Sequence, residues 1–165
     1  MKHAPVITME KIYIYTAAAE NYPADGTILH WELWDTPADH FSLPAILQER
    51  LLQIRTEHAR WAYGMAFTTV SGQSVESWLQ CGETLSQWWC SLLYERHPKM
   101  TPSLYPVYKL RALELWLAEH DVKELHLVGG DALLRRTLEQ FCRISGRSFA
   151  CEGNSSGKTT SLKRR

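Results

Sequence analysis

The chain has 165 residues, of which 45% are hydrophobic and 22% are charged. This composition is typical of a globular domain that buries a core, and the length suits one domain with short appendages. Lysine plus arginine equals aspartate plus glutamate at 18 each. With no net charge to attract phosphates or anionic lipids, we expect no nucleic-acid partner.

Neither a signal peptide nor a membrane span is apparent. Residues 1–15 lack a continuous apolar core, and no apolar run is long enough to cross a bilayer. The four cysteines have no C-x-x-C spacing, which excludes a zinc ribbon and a thioredoxin motif. Cys90 and Cys142 lie in apolar patterns of helical spacing, so we expect buried, reduced thiols. These features predict a cytoplasmic protein without a transmembrane segment, metal or cofactor.

The first third of the chain predicts two strands and a helix. Residues 11–16 and 27–34 are rich in β-branched and aromatic side chains, and a Pro-Ala-Asp-Gly turn at 23–26 separates them. From Leu43 the apolar residues change to helical spacing, which continues to about Tyr63.

The middle of the chain is less regular. Residues 68–70 are compatible with a short strand, Ser71-Gly72 with a turn, and residues 74–79 with a short helix capped by Ser74. Glu83–Arg96 is predicted as a helix that His97-Pro98 ends, with Leu85, Trp89 and Leu92 packed in the core. Its apolar residues fall at i, i+3, i+4, i+7 and i+8, namely Leu85, Trp88, Trp89, Leu92 and Leu93.

The last third predicts a β-α-β unit after a leucine-rich helix. Asp131 is a good N-cap for the helix of that unit and Gly146 a good end. The predicted elements are a helix from about Ser103 to His120, a strand at Glu124–Val128, a helix at Ala132–Ile144 and a strand at Arg147–Cys151.

A β-α-β unit implies parallel strands, so the fold class is expected to be α/β, a Rossmann-like sheet with flanking helices. We place this domain at residues 1–151 and a polar, disordered tail at 152–165. The turn Gly129-Gly130-Asp131 follows a strand, where ligands of open α/β sheets bind. Because G-x-G-x-x-G is absent and the N-cap is anionic, we interpret it as a plain βα turn.

The tail contains a sequence that imitates a phosphate-binding loop. Residues 152–159 read EGNSSGKT, but Glu152 stands where the Walker pattern requires glycine. The residues after Thr159 are too few for the helix that such a loop needs. We therefore expect Lys158 to bind no phosphate.

Residues 87–96, QWWCSLLYER, hold the most unusual combination of side chains. In a helix, Ser91 and Glu95 are four residues apart and lie on one face, and Arg96 suits the helix end. A core role for the tryptophans and a solvated face for the charges explain the same pattern.

The string Ser86–Arg96, followed by Ser103-Leu104-Tyr105 and a leucine-rich helix, resembles the bacterial surface carbohydrate biosynthesis proteins, glycosyltransferases of capsule and O-antigen gene clusters. That family shows a W-W-x-S-L-x-x-E-[KR] signature, and the resemblance covers about residues 27–150. Cys90 replaces a more usual aliphatic residue, and Arg96 stands where lysine is common. Family members are several times longer, with a second α/β domain in the two-domain GT-B arrangement.

The resemblance implies an N-terminal, acceptor-side domain or a truncated form of such an enzyme, resembling the N-terminal half of a GT-B glycosyltransferase. Its ligands would be a sugar nucleotide and a glycan acceptor, and a partner chain would supply the second domain. The alternative is a non-catalytic α/β binding or remnant module that associates with a partner chain. The implied roles are a general base for Glu95 and substrate binding for Trp88, Ser91, Arg96, Ser103 and Lys109.

Overall fold

A computed structural model describes residues 10–91 and 104–152 of the chain. They divide into two compact units, the first formed by residues up to Ser42 and from Ala118 onward, and the second by Leu43–Leu117. No helix in the described parts is long and apolar enough to cross a membrane.

In chain order the elements are β1 (Lys11–Tyr15), β2 (Thr27–His30), β3 (Phe41–Ser42), α1 (Leu43–Ala66), β4 (Thr69–Val70), β5 (Gln73–Ser74), α2 (Val75–Trp78), β6 (Gln80–Cys81), β7 (Leu85–Ser86), a 3₁₀ turn (Gln87–Cys90), α3 (Leu104–Glu119), β8 (Glu124–Val128), α4 (Ala132–Ser145) and β9 (Ser148–Glu152).

The first unit is built on a five-stranded sheet with the order β3-β2-β1-β8-β9. All four neighbouring pairs are parallel. Strand β1 lies in the middle of the sheet. Strands β2 and β3 follow on one side of it, and β8 and β9 lie on the other side. This is the doubly wound order of Rossmann-like α/β folds, so the predicted fold class and the parallel β8-α4-β9 unit are confirmed.

The two faces of the sheet differ in chemistry. Side chains alternate along a strand, so one face of β1 carries Ile12 and Ile14 and the other carries Tyr13 and Tyr15. The aliphatic side chains are completely buried. On the aromatic face, Tyr15 is in register with His30, the last residue of β2. The aromatic face therefore places polar ring atoms inside the protein.

Strand β2 is shorter than its sequence pattern predicted. The alternation continues to Trp34, but pairing stops at His30, and the Trp31 amide makes a hydrogen bond to the carbonyl of Tyr15 at 2.7 Å. Beyond this point the chain bends away and Trp34 is exposed. The alternation of apolar and polar residues therefore extends beyond the last residue that pairs with a neighbouring strand.

Helix α4 begins and ends where its sequence predicts. The Asp131 carboxylate accepts a hydrogen bond from the Leu134 amide at 2.7 Å, and Gly146 adopts a left-handed φ of 70° as the C-cap. Cys142 is fully buried, and burial raises the pKa of its thiol to about 11, which fits the predicted reduced thiol. Cys90 is exposed, so the same expectation for Cys90 is wrong.

The second unit pairs helices α1 and α3, both of which the sequence predicted. His58 Nδ1 lies 2.9 Å from the Tyr108 hydroxyl, and Arg111 Nε donates to Glu57 at 2.8 Å. The arginine holds the pKa of the Glu57 carboxyl below its usual value. Pro106 sits in the first turn of α3, where its missing amide costs no helical hydrogen bond.

The predicted helix at Glu83–Arg96 is wrong in its described part. The chain makes a β6–β7 hairpin with Gly82 at a φ of 72°, followed by one 3₁₀ turn. The Ser86 hydroxyl donates to the Glu76 carbonyl and accepts from the Trp88 amide, so the turn starts at Ser86. Helical spacing of apolar residues therefore did not distinguish a helix from this hairpin and turn.

The short strand, turn and helix predicted before this hairpin are confirmed. Strands β4 and β5 form a hairpin whose turn residues, Ser71 and Gly72, have φ values of 51° and 84°. The Ser74 hydroxyl accepts from the Ser77 amide and caps α2. Two successive glycine turns thus divide this segment into short elements.

Replacing Leu138 by alanine tests the packing of α4. Leu138 is fully buried, so Leu138→Ala should lower the free energy of unfolding by about 2–5 kcal/mol. Leu133→Ala, on the same helix but at a position 74% exposed, is the matched control and should change it by less than about 0.5 kcal/mol. Urea unfolding followed by circular dichroism measures both, and equal losses would contradict the packing described.

Candidate functional site

The strand order places a crevice between β1 and β8. In open α/β sheets, ligands bind outside the carboxyl ends of the strands where the strand order reverses, since the connections leave in opposite directions there. In this sheet the reversal lies between β1 and β8. The residues that follow these two strands are Thr16 and Gly129-Gly130-Asp131, which we call the switch-point site.

Close approach of the two chain segments explains the glycine pair. Gly129 and Gly130 have φ values of 82° and 84°, a region that side chains rarely adopt. A Cβ atom on Gly129 would lie 2.6 Å from Thr16 Oγ1, and one on Gly130 would lie 3.3 Å from Thr16 Cγ2. The Thr16 hydroxyl donates to the Val128 carbonyl at 3.4 Å. Besides joining β8 to α4, the turn therefore exposes the backbone of Gly129 and Gly130 next to the Thr16 hydroxyl.

Two carboxylates lie beside the switch-point site. Asp131 is exposed at the start of α4, and Oδ1 of its carboxylate already binds an amide of the first helical turn. Glu152 is exposed at the carboxyl end of β9, and its backbone carbonyl accepts from the Gly129 amide at 3.0 Å. Two carboxylates oppose the binding of a phosphate, whereas they accept hydrogen bonds from hydroxyl groups.

Four aromatic residues form a second cluster at the same edge of the sheet, and sequence reasoning did not single out its histidines. Tyr15, Tyr22, His30 and His40 make up this histidine–tyrosine cluster. His30 Nε2 lies 2.9 Å from His40 Nδ1, and the two rings are stacked with centroids 5.2 Å apart. The ring of Tyr22 meets both imidazoles edge-on, at 5.6 and 4.6 Å.

Burial perturbs two members of this cluster. It raises the pKa of the Tyr15 phenol, and the negative charge of Glu152 adds to the effect. It also lowers the pKa of His30, with a smaller contribution from the neighbouring His40. A clue was present in the sequence. Tyr13 and Tyr15 are two residues apart in the first predicted strand, so they share one face, and His30 lies in the second predicted strand.

The residues predicted from the tryptophan motif are only partly within the described chain. Trp88 is 4% exposed, and neither its Nε1 nor the Ser91 Oγ has a hydrogen-bond partner among the described residues. Trp88 lies in the 3₁₀ turn and Ser91 caps its end, since the Ser91 amide donates to the Trp88 carbonyl. Lys109 is buried in α3, with Nζ 4.8 Å from the centre of the Tyr105 ring. The other three, Glu95, Arg96 and Ser103, lie outside the described residues.

The packing expected of this motif differs from the structure. Trp88 is the tryptophan in the core, while Trp89 is half-buried beside Tyr63 and Phe67, at 6.0 and 6.3 Å. Leu85 is 53% exposed, so the expectation that it packs in the core is wrong. Leu92 lies outside the described residues. Because Ser91 has an extended backbone, the helical alignment of Ser91 with Glu95 loses its basis.

No family model, curated protein or solved structure matches this chain. Within residues 10–91 and 104–152, no group of three or more histidine, cysteine, aspartate or glutamate side chains is arranged to hold a metal ion. The functional argument therefore depends on the geometry of this chain.

Alanine at Gly129 tests the close approach at the switch-point site. Gly129→Ala adds backbone strain and a clash with Thr16, whereas Gly146→Ala adds strain alone, since no atom lies within 4 Å of its Cβ position. We expect Gly146→Ala to cost about 1 kcal/mol and Gly129→Ala about 1–3 kcal/mol more, as overpacking does. Thermal or urea unfolding measures the difference.

A double substitution separates the clash from the strain. Thr16→Ala removes the hydroxyl that the new Cβ would meet. Thr16→Ala combined with Gly129→Ala should therefore lose less stability than the sum of the two single variants. Strictly additive losses would contradict the contact between Thr16 and the glycine turn.

Proposed function

We propose that the chain binds an uncharged, hydroxyl-rich ligand of the sugar class at the switch-point site. The observation that carries this proposal is the reversal of strand order between β1 and β8, which coincides with the exposed Gly129-Gly130 backbone and the Thr16 hydroxyl. This is the position at which doubly wound sheets bind their ligands.

The chemistry of the site favours sugar hydroxyls over phosphate. Backbone carbonyls, a threonine hydroxyl and the Asp131 carboxylate accept hydrogen bonds from ligand hydroxyls. A nucleotide phosphate would have to approach Asp131 at the helix end that phosphates otherwise occupy. The second carboxylate, on Glu152, adds to this repulsion.

The broader function that we propose is the acceptor-side domain of a glycosyltransferase in bacterial surface polysaccharide biosynthesis. It rests on the resemblance of Ser86–Arg96 to that family. Glu95 would act as general base, and Arg96, Ser103 and Lys109 would bind substrate. A second domain, supplied by a partner chain, would hold the sugar nucleotide.

A non-catalytic binding module is the second candidate, and one observation favours it. The second unit exposes several large aromatic side chains, which are unusual on a surface that meets only water. Such residues favour association with a partner chain. They are Trp61, Tyr63, Phe67 and Trp78, each at least half exposed. In this case sugar binding would occur without transfer.

Titration with simple sugars tests the proposed ligand class. Neutral monosaccharides and disaccharides should shift the amide resonances of Thr16 and residues 129–131 in ¹H–¹⁵N spectra. Inorganic phosphate and nucleoside diphosphates should shift them less. Shifts confined to other parts of the chain, or stronger binding of the phosphates, would contradict the proposal.

A charge-neutral variant sharpens the test. Asparagine caps helices as well as aspartate does, so Asp131→Asn should preserve α4 while removing the charge. We expect sugar binding to weaken about fivefold, because a hydrogen bond to a charged group is worth roughly 1 kcal/mol more than a neutral one. Phosphate binding should strengthen. Asp121→Asn, at an exposed aspartate before β8, is the control and should change neither.

A further inference from the structure

The connection between β1 and β2 is unusual for a doubly wound fold. Residues 16–26, which we call the crossover segment, join two parallel strands without a helix, although such connections normally contain one. Among the described residues, side chains rather than backbone hydrogen bonds attach residues 17–25 to the sheet. The Asp25 carboxylate accepts from the Tyr13 hydroxyl at 3.2 Å and pairs with Lys11 at 3.4 Å. Within the segment, the Ala19 amide donates to the hydroxyl of Tyr22.

Tyr22 is the main apolar anchor of the crossover segment. Its ring meets Tyr15 at 5.0 Å, in addition to its edge-on contacts with His30 and His40. Tyr22 and Ala19 are the residues of the segment that pack against the core of Tyr13, Tyr15 and Ile28 on this face. The position of Tyr22 therefore depends on the histidine pair as well as on Tyr15.

The histidine pair is best satisfied when both rings are neutral. His30 is completely buried, and its Nδ1 has no hydrogen-bond partner among the described residues. A buried acceptor without a partner is tolerated more readily than a buried donor, so His30 carries its proton on Nε2 and donates to His40 Nδ1.

Adding protons disrupts this arrangement. A first proton would place an N–H at Nδ1 of His30, which has no hydrogen-bond partner among the described residues. A second proton would leave two N–H groups facing each other at 2.9 Å. Either state leaves an unpaired donor inside the protein, which is unfavourable, and more so when the group is charged.

Among the described residues, few charged groups lie beside the pair. The imidazoles face the phenols of Tyr15 from β1 and Tyr22 from the crossover segment. The Asp39 carboxylate, which is largely exposed, has Oδ1 3.9 Å from His40 Nε2. Glu152 acts on Tyr15 from the end of β9. The described part of the chain therefore offers His30 no carboxylate partner.

We propose that the histidine–tyrosine cluster is a proton-operated latch that holds the crossover segment on the sheet near neutral pH and releases it in acid. Release lets water reach both imidazoles. It also frees the chain that follows Thr16, next to the switch-point site.

The direction of the pH dependence follows from His30. Its pKa is lowered in the folded protein, by burial first and by His40 second. A group that binds its proton less tightly when folded stabilises the fold above the ordinary histidine pKa of about 6.5 and loses this contribution as the pH falls below it. Acid therefore favours the released state.

Hydrogen exchange measured by mass spectrometry tests the latch. Between about pH 7.5 and pH 5, after correction for intrinsic exchange rates, peptides covering residues 16–26 should lose the protection of the Ala19 amide, which donates to the Tyr22 hydroxyl. Peptides from β8 and α4 should keep their protection over the same range. Equal loss in all three regions would mean global unfolding and would overturn the proposal.

Non-titrating variants provide the decisive comparison. Glutamine places its amide near the position of imidazole Nε2, and asparagine places its amide near Nδ1. The double variant His30→Gln/His40→Asn should therefore retain a hydrogen bond but lose the pH dependence of residues 16–26. His120→Gln, at a histidine of the same unit that meets Phe41, is the matched control and should behave like the wild type.

A measurement on the unmodified protein covers the case in which the double variant does not fold. The imidazole resonances of His30 should titrate below the ordinary histidine value, together with the loss of protection at residues 16–26. Persistence of the pH dependence in the double variant would overturn the proposal. So would a His30 titration that leaves the protection of the crossover segment unchanged.

Discussion

Strand β1 is the element on which the rest of the first unit depends, because it pairs with a neighbour along both of its edges. Its five residues join β2 on one side and β8 on the other, all in parallel register. Thr16, at its end, binds a carbonyl 112 residues away in the chain. Without β1 the sheet would separate into two small pieces, neither of which buries enough apolar surface to be stable alone. The same strand also defines the switch point, because the order of strands reverses beside it.

Local signals in the sequence predicted most of the elements of the fold. Asp131 and Gly146 define α4 through their own capping preferences, which need no tertiary contact. The side-chain patterns of β1 and β8 are also local, so they predicted these strands without any tertiary contact. The errors occurred where a pattern was compatible with two structures. Alternation past His30 did not show that the ladder had ended, and helical spacing in residues 83–91 was equally compatible with a hairpin and a 3₁₀ turn.

The candidate site was less predictable than the fold, because it depends on which strands are neighbours. The sequence placed Gly129-Gly130 after a strand, but only the strand order brings Thr16 beside it. The left-handed φ values of the glycines and the clash that excludes a side chain are likewise tertiary facts. His30 and His40 come from separate segments, and no spacing rule predicts their hydrogen bond. Sequence reasoning instead concentrated on the tryptophan motif, where a resemblance directed it.

The strand order has a consequence for how the chain folds during synthesis. The second unit, Leu43–Leu117, interrupts the first in sequence, so β1–β3 leave the ribosome long before β8 exists. Until then one edge of β1 has no partner, and unpaired strand edges are templates for aggregation. The second unit, in which α1 contacts α3, is synthesised completely before β8 and can fold first. The interval between the synthesis of Tyr15 and that of Val128 is thus the period in which the nascent chain most needs a chaperone.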